Sequence, residues 1–117
     1  MITLYNPGWG EDFTSCYDKS YAEKGMERYG DGGSGVINTA WALLALSTAR
    51  VSDTKAIKRG VAYLMKRQLP SGDWPQEGIS GVFNRSIGIT YTAYRNIFPI
   101  WALGRCIEVY GNEIKEV

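Results

Sequence analysis

The chain has 117 residues, enough for one small domain with a modest core. Its 13 basic and 12 acidic residues leave a formal charge of +1, which excludes the electrostatic footprint of a nucleic-acid or polyanion binder. There is no histidine, so histidine-based triads and histidine-ligated metals are excluded within these residues, and no apolar run approaches the roughly 20 residues that span a bilayer.

The first residues, Met1 to Asn6, carry no basic segment followed by an apolar stretch and do not read as a signal peptide. Pro7-Gly8-Trp9-Gly10-Glu11 reads as a turn ending in a Trp and then an acid. Tyr17 to Gly35 is polar, with glycines at 30, 32, 33 and 35, and predicts a mobile surface excursion. It lacks the GxxxxGK[ST] pattern and any strand before it, so it is not read as a phosphate cradle. A first helix is predicted from Val36 to Arg50. Its apolar residues Ile37, Ala40, Trp41, Leu43, Leu44 and Leu46 wrap most of the way round, so it should be buried on several sides, with Asn38 or Ser34 as its cap.

A second helix is predicted from Thr54 to Gln68, capped by Asp53. Ile57, Val61, Leu64 and Met65 form one stripe, while Lys55, Lys58, Arg59 and Lys66 lie mostly elsewhere. Gly60 inside it costs about 1 kcal/mol relative to Ala, which points to close packing against a neighbour. Pro70 and Gly72 end it. Trp74 to Ile89 is apolar, with Ile79, Val82, Phe83, Ile87 and Ile89, but has no clean period; it reads as a loop that packs inward or shapes a site. A third helix is predicted from Thr92 to Val109, kinked or interrupted at Pro99 and stopped at Gly111 or Asn112. Cys16 and Cys106 are far apart and form no CxxC, so both are expected to be reduced, buried thiols.

The residues with the most specific spacing are Gln68, Gly72 and Trp74. A Gln amide can bond free backbone groups at a helix end, and an indole face can cover the amide and the adjoining helix end. Trp9 looks like the end of a second such clamp, with Pro7 where a glycine is expected and no Gln partner. Helix pairs repeated in this way bury their faces only by stacking on neighbours, so the array reads as incomplete.

Three segments carry a family resemblance: Arg59 to Trp74 with its Gln–Trp motif, Gly81-Val82-Phe83-Asn84, and Tyr91 to Gly104. Together they resemble the C-terminal end of the oxidosqualene cyclases, those of the lanosterol-forming type in particular. The resemblance implies an all-α fold, with residues 1–117 forming part of an α/α (α6–α6) barrel built from helix pairs. Gln68, Gly72, Trp74 and Trp9 would be structural clamps on its rim. It implies isomerisation of (S)-2,3-oxidosqualene to lanosterol or a related sterol precursor through carbocations, with no metal and no organic cofactor. Phe83 and Tyr91 would bind substrate as cavity wall, because an aromatic face stabilises a cation without acting as base or nucleophile.

The family's proton donor lies in an Asp-Cys-Thr-Ala-Glu segment that does not occur here, so no catalytic acid is assigned and the isolated chain is expected to be inactive. The acids beside the motifs, Glu11, Asp12, Asp73 and Glu77, read as solvated or helix-capping. Arg95 is expected to bond loop carbonyls, and Trp101 to serve helix packing. Where the family has Cys-Ala-Ile-Ser-Tyr or Cys-Met-Ile-Ser-Tyr, this chain has Ile87-Gly88-Ile89-Thr90-Tyr91, which bears on the product rather than the fold. The expected partners are oxidosqualene, the remainder of the enzyme, and a membrane of the endoplasmic reticulum or a lipid droplet, touched peripherally. Met1 to Asn6 depart from the family pattern, which suggests that the chain began further upstream or that this end was altered. Two alternatives stand beside this: a non-catalytic helical module derived from the barrel, and an α/α toroid acting on carbohydrate, for which no pair of catalytic carboxylates can be placed.

Overall fold

A computed structural model describes Trp9 and residues 35–77, 81–83, 87–89 and 91–115. The predicted surface excursion at 17–34, Ser34, Cys16, Glu11, Asp12, Ile79 and Asn84 lie outside the described residues. Within them the chain forms three helices, α1 (Val36–Thr48), α2 (Lys55–Arg67) and α3 (Thr92–Tyr110), with a short ladder of β1 (Gly81–Phe83) and β2 (Ile87–Ile89) before α3. The fold is all-α in class.

Helix α1 lies between the other two. Val36, Ala40 and Leu43 share one buried core with Ile57, Val61 and Leu64 of α2 and Ala102, Cys106 and Tyr110 of α3. The apolar wrapping of its sequence is what permits two partners. Its start differs from the sequence expectation. Gly35 is the N-cap residue and makes no side-chain bond. Asn38 does not cap, because the Val36 N–H is taken instead by the Glu77 carboxylate, 2.9 Å away and 41 residues along the chain. Its end is a Schellman turn: Arg50 donates to the Ser47 carbonyl and Val51 to the Leu46 carbonyl. Arg50 holds the left-handed conformation there, φ 50°, where glycine is usual.

Helix α2 starts one residue later than predicted. Thr54 is its N-cap residue, and the Asp53 carboxylate accepts the Lys55 N–H at 3.0 Å. Ile57, Val61 and Leu64 are buried as the stripe requires, but Met65 is 51 % exposed and is not part of it. Tyr63 is the fourth large side chain buried from this helix. Gly60 explains its own presence: a Cβ there would stand 2.8 Å from Leu43 Cδ2 and 3.0 Å from Trp9 Cζ3.

The segment predicted as structureless loop contains the ladder, antiparallel, with Gly81 opposite Ile89 and Phe83 opposite Ile87. Helix α3 runs unbroken past Pro99, which is itself buried. Pro99, Ala102, Cys106 and Tyr110 form its inner stripe at the three-to-four spacing of one helix face. The Tyr110 hydroxyl closes the far end of the core by donating to the Val51 carbonyl at 2.9 Å.

Candidate functional site

The Gln–Trp turn is built from the C-terminus of α2 outward. The chain leaves helical geometry at Gln68 (ψ 132°), and the Gln68 N–H turns back only to the Met65 carbonyl. That leaves the Leu64 carbonyl without its usual intrahelical donor. The Trp74 indole supplies one: its Nε1–H donates to Leu64 O at 2.8 Å, fully buried, with the side chain 1 % exposed. Gly72 makes the reversal possible, with φ +91°, a conformation open to glycine at no steric cost. The Gln68 amide donates to Gly72 O at 2.7 Å on the exposed side of the turn. The two motif residues thus do separate jobs. The indole caps the helix from inside, and the amide braces the turn from outside.

Two guanidinium–carboxylate pairs tie this turn to the other helices. Arg95 of α3 pairs with the Asp73 carboxylate and donates to the Trp74 carbonyl at 3.0 Å, a loop carbonyl as expected. Arg67 pairs with Glu77, whose other oxygen holds the start of α1. Asp73 and Glu77 are therefore engaged in structure, Glu77 as a helix cap. Trp9 is held against α1 by Thr39: its N–H donates to Thr39 Oγ1 at 3.0 Å, and that hydroxyl donates back to the Trp9 carbonyl at 3.2 Å. The Gly35 N–H also donates to the Trp9 carbonyl, at 2.7 Å. With its ring over Gly60, Trp9 bridges α1 and α2.

Both predicted wall residues precede α3 in the chain. Phe83 belongs to β1 by its backbone; its side chain lies outside what is described. Tyr91 is the N-cap residue of α3 and is 37 % exposed. From Tyr91 a row of rings runs along α3. Tyr94 lies 5.0 Å from Tyr91 (centroid to centroid) and Phe98 5.4 Å from Tyr94, and Trp101 stacks on Phe98 at 6.0 Å. Trp41 of α1 meets both Tyr94 and Phe98 edge-on, at 5.7 and 5.5 Å. Sequence reasoning missed this cluster as a unit. The signal was present in the spacing of Tyr91, Tyr94, Phe98 and Trp101, which at steps of three, four and three fall on one helix face. Trp101, predicted as a packing residue, contacts Phe98 of its own helix but is 56 % exposed.

Beyond Trp101 an open groove of about 900 Å³ runs between α1 and α3, lined by Leu44, Ala45, Ala49, Ile100, Trp101 and Gly104. Ile97, Ile100 and Ile107 add to the exposed apolar face of α3. Cys106 contributes no nucleophile: it is a free, buried thiol, and burial pushes it up to about 11, so it stays protonated near neutrality. Among the described residues no group of three or more His, Cys, Asp or Glu side chains could hold a metal. What the arrangement offers is apolar surface and aromatic faces, which suit a greasy or cationic guest.

An all-α segment of stacked helices, with an indole-capped turn and a ring-lined face, is the class of structure these observations define. Residues 3–108 match the sequence profile described as the squalene-hopene cyclase C-terminal domain, and the chain belongs to that family. It is 52 % identical over 103 residues to human lanosterol synthase, a match covering 88 % of this chain and 13 % of that protein. Mouse lanosterol synthase gives the same identity and coverage. Cycloartenol synthase of Dictyostelium discoideum is 47 % identical over 101 residues, covering 86 % of this chain and 13 % of that one. The chain thus spans about an eighth of the length of these relatives.

Proposed function

We propose that this chain acts as one segment of an oxidosqualene cyclase, which isomerises (S)-2,3-oxidosqualene to lanosterol or a related sterol precursor. The observation that carries this is the 52 % identity to lanosterol synthases across 88 % of the chain. The reaction moves no net electrons. A proton opens the epoxide, π bonds close the rings in turn through carbocations, and loss of a proton ends the sequence. The acid would come from outside these residues, since Asp73 and Glu77 are held by guanidinium groups in the rim turns. Tyr91, and Phe83 from the neighbouring ladder, would wall the cavity. Each well-placed ring can stabilise a desolvated cation by roughly 0.5–2 kcal/mol without trapping it.

Residues 1–117 would form part of the α/α barrel domain. The exposed apolar face of α3, Ile97, Ile100, Trp101 and Ile107, supports this, since such a face calls for cover by neighbouring helices. Gln68, Gly72, Trp74 and Trp9 would serve as structural clamps. Because the substrate dissolves in lipid, the assembled enzyme would work at the endoplasmic reticulum membrane or a lipid droplet, attached peripherally.

The test is a chimera. The matching segment of human lanosterol synthase is replaced by this chain and expressed in yeast deprived of its own enzyme, and sterols are read by gas chromatography–mass spectrometry. A cyclised triterpene product is expected. A folded chimera that leaves oxidosqualene unconverted would overturn the assignment.

A further inference from the structure

The outer face of α2 carries charge that neither the core nor the Gln–Trp turn uses. We propose that this face lies on an anionic lipid surface, with Lys55, Lys58 and Arg59 meeting phosphate-bearing headgroups and Met65 and Leu69 dipping between them. The proposal rests on the cyclase reading for why lipid is met at all, and it names the surface that meets it.

Helix α2 contains Lys55, Lys58, Arg59, Lys66 and Arg67 and no acidic residue. Over the whole chain 13 basic residues are nearly matched by 12 acidic ones, so the near-neutral total conceals a local separation of sign. Arg67 turns to Glu77 and leaves the set. At about 100° per residue, the other basic residues fall within an arc of about 100°, opposite the buried Ile57, Val61 and Leu64. They are exposed, and the row from Lys55 to Lys66 is about 16 Å long at a rise of about 1.5 Å per residue. Among the described residues, no carboxylate pairs with Lys55, Lys58 or Arg59. The carboxylates of Asp73, Glu77 and Glu108 are held by Arg95, Arg67 and Arg105. Asp53 borders the face, where it accepts the Lys55 N–H.

Lys55 stands three and four residues from Lys58 and Arg59, the spacings at which like charges on a helix repel. An anionic partner relieves that repulsion. The face is the outside of a single helix and is convex, so it offers a peptide no cleft. A layer of headgroups reaches several cations on a convex row at once. Two apolar side chains point to the same partner. Met65, 51 % exposed, follows Lys58 and Ala62 at steps of four and three, and Leu69, 42 % exposed, lies just past the helix end. An acidic peptide gives them little to bury in, whereas the acyl boundary beneath headgroups does. Each basic residue near an anionic surface contributes about fivefold in affinity, so three contribute about a hundredfold.

In the experiment, the full-length cyclase carrying this segment is sedimented with vesicles of phosphatidylcholine alone, or of phosphatidylcholine with one-third phosphatidylserine. The unsubstituted enzyme should prefer the anionic vesicles by about a hundredfold, and about 0.5 M salt should remove most of that preference. The triple variant Lys55→Gln, Lys58→Gln, Arg59→Gln should bind both vesicles alike. Met65→Ser combined with Leu69→Ser should weaken binding to the anionic vesicles by about tenfold. No preference in the unsubstituted enzyme, or one that survives in the triple variant, overturns the inference. If the surviving preference comes with a lower Tm, an acidic segment of the enzyme itself covers the face. Turnover of oxidosqualene in nonionic detergent is measured alongside and should be equal in every variant, because none of these residues belongs to the ring-lined face. A preference lost in the triple variant while turnover is absent throughout would defeat the cyclase reading alone.

Discussion

Replacing Trp74 by Phe separates the two halves of the Gln–Trp motif. The buried indole N–H meets the Leu64 carbonyl at 2.8 Å, and that carbonyl has no intrahelical donor because the Gln68 N–H bonds Met65 instead. Phe keeps most of the apolar bulk but leaves the carbonyl orphaned inside the core, at a cost of about 1–3 kcal/mol. The smaller ring also leaves a void worth about 1 kcal/mol. Together the loss is about 3 kcal/mol. A chain of 117 residues unfolds with an entropy near 0.25 kcal/mol per kelvin at roughly 2.1 cal/mol/K per residue, so Tm should fall by about 12 °C. Gln68→Ala removes a bond to Gly72 O that lies in solvent, and should cost only about 0.5 kcal/mol, or about 2 °C. Thermal melts of the 117-residue chain followed by circular dichroism at 222 nm decide the matter. A Trp74→Phe Tm within about 3 °C of wild type, or equal losses for the two variants, would refute the division of labour between indole and amide.

Glu77→Gln weakens two contacts at once, the Arg67 pair and the cap on Val36 N–H, at a site where the carboxylate side chain is only 14 % exposed. A loss of about 1–2 kcal/mol in urea unfolding is expected, and because the carboxylate is mostly shielded from solvent, about 0.5 M salt should remove only part of the difference. The Cys106 thiol, pushed up to about 11 by burial from 9.0, holds its proton in the folded state longer than in the unfolded one. The unfolded chain binds fewer protons above pH 9.0, so this contribution is complete below that value and is lost as pH rises toward about 11. Stability measured across that range should fall more steeply in wild type than in Cys106→Ala, and parallel curves would contradict it.

The three helices were legible because their signals are local. Asp53, Gly60, Pro70 and Gly72 punctuate α2 within a few residues of where each acts, and the observed bounds differ from the predicted ones by one or two positions. Gly60 even announced its close neighbour, although not that Trp9 would be part of it. The ladder was missed because three-residue strands are too short to show an alternating period. Of the two caps expected for α1, Ser34 lies outside the described residues and Asn38 does not fill the role; the acceptor at Val36 is Glu77, distant in sequence, and no local pattern encodes it. Met65 was misread for another reason: helical spacing marks a face, but which edge of that face stays dry depends on a neighbour the spacing does not contain. The ring cluster around Tyr94 divides the same way. Its α3 members repeat at helix spacing, while Trp41 joins only once α1 and α3 have met.

The carboxylate of Glu77 also fixes an order of events. The first amide of α1 has no partner of its own until a residue 41 places downstream returns to it, held in place by Arg67 at the end of α2. A nascent chain that has made only α1 therefore has a helix with a frayed beginning. It becomes firm at that end after α2 and its trailing turn have been made and folded back. Closing a loop of that size carries an entropic cost that a local cap would avoid. In return, the start of one helix and the end of the next assemble as a single cooperative step.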